Sequence, residues 1–374
     1  MSSTQTADRE CRTASAEATL LAVESILVGG GRGARHGGAG GAGGSRHRTP
    51  ALAALLPVLL VAAVVASIVL GSKAIPLGDV LQVLTGHGDT VADRGIVEAR
   101  VARTVVGVLV GAALAVAGAA MQGLTRNPLA DPGLLGVNAG AGLAVVVAIA
   151  VFGVGSLSGY VWWAMVGAGL AAVLVHALAG LGGSVTPLRL TLAGAAVTAG
   201  LASWSSGLLV SSRQSFDAFR FWQVGTIGGR GLDLVVTVLP FFAVGLVVVP
   251  LAVRQLNALA LGDDLARGLG ENVLLARATV ALGVAVLCGA STALAGPIGF
   301  LGLVVPHVAR FVVGPDHRRI IPACLVAGPT LLLAADTLGR LVAQPSEVQA
   351  GIMTAVLGVP FFVLLVRRGR MASL

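Results

Sequence analysis

Few residues in this 374-residue chain could carry chemistry, and their spacing excludes most of what they could do. Lys73 is the lone lysine and follows Ser72, whereas a phosphate-binding loop needs a glycine directly before its lysine. The chain therefore cannot hydrolyse ATP by that mechanism. Cys11, Cys288 and Cys324 lie far apart and offer neither a disulfide framework nor a metal site. Asn138, His176, Ser203 and Asp336 fall within apolar stretches, where polar groups are costly and need partners. Asp336 and Arg340 are spaced i, i+4, which predicts a local ion pair on one helix. His176 stands alone and reads as a hydrogen-bonded structural residue rather than a proton relay. A membrane-embedded enzyme would need Ser/His pairs or clustered carboxylates. The expectation is no catalytic residue, no cofactor and no metal.

The elements that hold these residues are membrane helices. The chain is 56% hydrophobic and 11% charged, with mean hydropathy +0.91. Soluble domains carry about 25% charge, and several uncharged windows here are long enough to span a bilayer. We expect an all-α polytopic membrane protein with about ten spans, near 51–70, 101–122, 134–152, 160–181, 188–210, 234–253, 273–295, 298–313, 320–341 and 350–366. The 25 Lys and Arg divide about two to one in favour of a side that places both termini in the cytoplasm. The arginines sit at span ends rather than in one patch, so nucleic acid is not an expected partner. Residues 1–48 read as a disordered Gly/Ala/Arg-rich cytoplasmic tail and 49–370 as the transmembrane domain. In the second span Gly107, Gly111, Ala115 and Ala119 recur every four residues, a face for close helix packing.

Four polar segments punctuate the spans. Thr125-Arg126-Asn127-Pro128 and Ala130-Asp131-Pro132-Gly133 form an elbow, since neither proline can continue a helix. The longest inner loop, Arg254 to Asn272, predicts a short amphipathic helix over Leu259–Leu269. Leu261, Leu265 and Leu269 would share a face, Asp263 and Asp264 would lie near the positive end, and Gly268 and Gly270 would mark its end. Arg100 and Arg103 head the second span on one face, and Arg340 ends the ninth. On the outer side, Phe216, Phe219 and Trp222 recur at three-residue spacing.

These motifs, in order, resemble the permease subunits of the ABC importers for ferric siderophores, haem and cobalamin. The match covers about 50 to 370. It is carried by Gly111–Gly140, by Ala260-Leu261-Gly262-Asp263-Asp264-Leu265-Ala266-Arg267-Gly268-Leu269-Gly270, by Gly296–Arg319, by Leu333–Asp336 and by Gly351–Phe362. The resemblance implies the type II permease fold, in a bacterial cytoplasmic membrane. It also implies a homodimer or a heterodimer with a paralogous permease, and separate ABC ATPase subunits docking on the 260–270 loop. There Leu261, Gly262, Asp263, Asp264, Leu265, Ala266, Arg267 and Gly270 would transmit force. Arg100, Arg103 and Arg340 would receive acidic residues of an extracytoplasmic substrate-binding protein. Family members read R-L-P-R where this chain has Arg100-Val101-Ala102-Arg103. Phe219 and Trp222 would line the outer mouth of the pathway. Ser184 and Thr186, in the loop before the fifth span, would form its inner gate; Pro187 departs from the family's spacing there.

The resulting expectation is a non-catalytic permease moving a ferric siderophore inward with energy from its ATPase partner. The alternative is a secondary transporter driven by an ion gradient. That reading calls for polar coupling residues near the bilayer midplane, of which the spans hold almost none.

Overall fold

The computed structural model describes residues 48–71, 77–85, 91–181, 185–210 and 213–367. The expected tail, up to residue 47, and Ser184 lie outside the described residues. Helix α1 is Arg48–Val69, α2 Leu77–Leu84 and α3 Val91–Thr125. A 3-10 turn at Pro132–Leu135 leads into α4, Val137–Ala150, then α5, Leu157–Gly180. Next come α6, Pro187–Val210, α7, Arg213–Gln223, and α8, Leu232–Leu251. Two short helices follow, α9, Val253–Ala260, and α10, Asp263–Gly268. The last four are α11, Val273–Ala295, α12, Leu301–Val313, α13, His317–Val342, and α14, Ala350–Arg367.

Each expected span falls on one of these helices. Six of them are long and apolar enough to cross a membrane: α3, α5, α6, α8, α11 and α13. The apolar parts of α1, α4, α12 and α14 are shorter. At 1.5 Å per residue the 13 residues of α12 reach only about 20 Å, short of roughly 30 Å of hydrocarbon. The irregular backbone that precedes α12 is tolerated because protein covers it: a side chain at Gly296 (φ 75°) would meet the Trp222 carbonyl.

Caps set several helix starts. Ser156, Thr186, Asn272 and Asp316 each accept a hydrogen bond from a backbone N–H in the first turn of α5, α6, α11 and α13 respectively. Helix α3 is the hub, and α13, α11, α12 and α8 pack around it. Its Val106, Val110, Ala113, Ala115–Ala117 and Ala119–Met121 have no exposure. A Cβ at Gly111 would lie 2.7 Å from Pro329 Cα, so the small-residue face of α3 seats directly on the α13 backbone.

Two expectations are corrected. The inner-loop helix is not continuous: Gly262, at φ 106°, breaks it into α9 and α10, a conformation that side-chain-bearing residues avoid. Helix α3 begins ten residues before the expected span, and α2 was not foreseen, because hydropathy marks only the lipid-matched part of a helix. His307 lies inside α12, with Nδ1 3.0 Å from the Leu303 carbonyl.

Candidate functional site: two arginine–carboxylate poles

Helix α3 carries arginines near both ends, Arg103 in its first half and Arg126 just after its last turn. They are roughly 35 Å apart along the axis, and each anchors a polar cluster.

At the Arg340 pole, Asp336 has no exposure and sits between two guanidiniums. Arg103 grips both of its oxygens, at 2.9 and 2.8 Å, and Arg340 Nε lies 3.2 Å from Oδ2. The i, i+4 pair foreseen in sequence is present, but the stronger partner comes from α3. Arg103 Nη1 also donates to Glu347 at 2.7 Å. Arg340 is 1% exposed and donates to the Ser67 and Leu70 carbonyls at the end of α1. Arg100 donates to the neighbouring Ile68 and Val69 carbonyls. A buried charge persists only when paired and hydrogen-bonded, and here each arginine meets that demand by fastening α1, α3 and α13 together. A cavity of about 350 Å³ opens among Gly71, Ile96, Arg100, Arg103, Arg340 and Glu347. The three arginines singled out in sequence therefore share one concave site, while also serving as internal fasteners.

The opposite pole is built on Asp263, the first residue of α10. Arg126, held at φ 50° in the elbow after α3, donates to its Oδ1 at 2.9 Å. Arg277, on α11, donates from Nη2 to both oxygens at 2.8 and 2.9 Å. The other arm of Arg277, Nη1, donates to the Val185 carbonyl at 2.8 Å. Ala266 faces inward with no exposure, whereas Leu261, Leu265 and Leu269 are 59%, 62% and 67% exposed. Asp264 and Arg267 form an exposed pair at 3.0 Å, and Gly270, at φ 84°, turns the chain out of α10. Helix α9 is tied to the start of α13 through Asn257, whose Nδ2 donates to Asp316 at 2.7 Å. The Arg318 N–H and this amide hold the Asp316 carboxyl below its ordinary range.

A further cavity, of about 530 Å³, is lined by Asn138, Thr198, Ser205, Ser206, Phe219 and Trp222, among others. Hydroxyls, carboxamides and aromatic rings face it, and its lining residues include no ionisable side chain. Phe219 and Trp222 are buried and stacked, with centroids 5.6 Å apart. Thr186 does not face this cavity; its hydroxyl accepts the Arg189 N–H at the start of α6.

Sequence reasoning missed Arg277, Arg126 and Glu347. An ionisable residue one turn inside an apolar span is a functional flag, and Arg277 fits that description. The partnership of Arg103 with Asp336 has no local signal.

Residues 59–368 match the FecCD transport family. The chain is 43% identical over 315 residues to the ferric enterobactin transport system permease protein FepD of Escherichia coli (strain K12), covering 84% of this chain and 94% of that one. It is 41% identical over 281 residues to the hemin transport system permease protein HmuU of Yersinia pestis, covering 72% and 82%. A solved inward-facing structure, assigned to a metal-chelate type ABC transporter, superposes with a TM-score of 0.75 at 27% identity. It covers 85% of this chain and 99% of that one.

Proposed function

We propose, from the premise that this chain belongs to the FecCD transport family, that it is the permease subunit of a binding-protein-dependent ABC importer for a ferric siderophore. The observation that carries the coupling part of this reading is the Asp263 pole. Three leucines at or beside a six-residue helix stand more than half exposed, on a segment anchored from beneath by two arginines. An apolar patch on a braced helix suits docking to a separate ATPase, and the pole then lies in the cytoplasm with both termini. The chain itself does no covalent chemistry.

The Arg340 pole then faces outward, and its arginine-lined cavity would receive acidic side chains of a substrate-binding protein. Such charges mainly set encounter rate and salt dependence. Helix α6, of which only 17% of the best apolar window is buried within the chain, is available to a second permease copy or a paralogue. Two copies would enclose the cavities lined by Thr198, Ser205, Phe219 and Trp222 as one path. Ser184 and Thr186 would lie at its inner end. The ferric siderophore is favoured as cargo by the 43% identity to the ferric enterobactin permease. The membrane is the bacterial cytoplasmic membrane, and rigid-body motion would alternate access to the path.

Leu265→Asp tests this directly. The side chain is exposed, so the fold should survive while copurification of the ATPase subunit is lost. Full ATPase retention with normal transport would overturn the docking assignment.

A further inference from the structure

We infer that Arg277 is the positioning residue through which movement of the ATPase-facing helix α10 reaches the transport path. The inference rests on the docking reading above and goes beyond it by naming the transmitting contact. One guanidinium joins two segments that no other hydrogen bond links among the described residues. Its Nη2 holds both oxygens of Asp263, the first residue of α10, and its Nη1 holds the Val185 carbonyl. The planar fork makes this possible, since an ammonium group offers one compact charge and cannot meet both partners with the same geometry. The side chain is 10% exposed, so water competes little for either bond.

What lies on the far side of Val185 gives the contact its consequence. Thr186 follows directly and caps α6, with Pro187 as the first helical residue. A proline there is fixed in backbone conformation, so a pull on the Val185 carbonyl passes into the helix rather than into a slack loop. Helix α6 in turn contributes Thr198, Ser205 and Ser206 to the cavity of about 530 Å³. The chain of contacts therefore runs from α10 through Arg277 to Val185, then along α6 to the wall of the path. Arg126 supplies a built-in control. It holds the same Asp263 oxygen at 2.9 Å but donates to no atom of the 185–190 segment among the described residues.

The test uses the full importer in proteoliposomes, comparing Arg277→Lys with Arg126→Lys. Lysine at 277 keeps the charge beside Asp263 and gives up the second arm. We expect the ATPase to remain bound and active while substrate moved per ATP hydrolysed falls about tenfold, the scale of one charge-assisted hydrogen bond. Arg126→Lys weakens an Asp263 bond without touching the 185–190 segment, so its loss in that ratio should be several-fold smaller than that of Arg277→Lys. An unchanged ratio in Arg277→Lys would overturn the inference. Leu265→Asp separates this outcome from failure of the docking reading, because it reports ATPase binding alone. Should Arg277→Lys fail to assemble, hydrogen exchange on the unmodified complex decides. Trapping ATP should alter exchange at 263–268 and at 185–190 together. A response at 263–268 with none at 185–190 would overturn the inference.

Discussion

At the Arg340 pole an aspartate with no exposure holds two arginines, and their spare donors end on carbonyls of α1 and on Glu347. At the Asp263 pole an aspartate that is 26% exposed also holds two arginines, but the spare donor of one ends on a connecting segment. Both poles use the same ion-pair chemistry. They differ in what they fasten. The first joins long helices whose backbones already touch, as at Gly111 and Pro329, so it behaves as a fixed clamp. The second joins a six-residue helix to the entry of α6, the least buried of the six long apolar helices. A knot between light, exposed pieces can move as a unit, and that suits a coupling element.

The largest expected effect comes from breaking the clamp. Asp336→Ala strands two buried guanidiniums and should cost about 3–5 kcal/mol, read as a lower melting temperature and poor recovery of folded protein. Asp263→Ala removes a partly hydrated carboxylate and should cost only about 1–2 kcal/mol, while transport is lost. Equal destabilisation by the two would erase the distinction between clamp and coupler. The smallest effect concerns Asp316. Its carboxyl is held below the ordinary value of 3.8, so its stabilising contribution is present above that value and disappears as pH falls through the folded-state value. The group is exposed and screened, so melting temperature should drop only slightly more between pH 5 and 3 than in Asp316→Asn. An identical pH profile in the two proteins would show that this link between α9 and α13 contributes nothing.

The spans and the Leu265 face were legible in the sequence because both are local properties. Apolar length marks a membrane helix, and a three- to four-residue period marks a helix face. The break at Gly262 was hidden inside an otherwise good helical pattern, although glycine beside two aspartates is a natural place for a new helix to start. The two poles were legible only as isolated charges. Arg103 and Asp336 are separated by most of the chain, and nothing in the periodicity of either segment announces the other. The same holds for Arg277, whose partner at Val185 is a backbone carbonyl and so leaves no trace in residue type. Thr186 shows the converse. The resemblance singles it out as a gate residue, whereas its hydroxyl contact, a cap on α6, is a local feature that the sequence reading did not name.

The most direct measurement is uptake of a labelled ferric siderophore into proteoliposomes holding this permease, its ATPase subunits and the binding protein. The account predicts uptake that requires ATP, requires the binding protein and is indifferent to ionophores that collapse ion gradients. Uptake that proceeds without ATP and stops when those gradients are dissipated would contradict it.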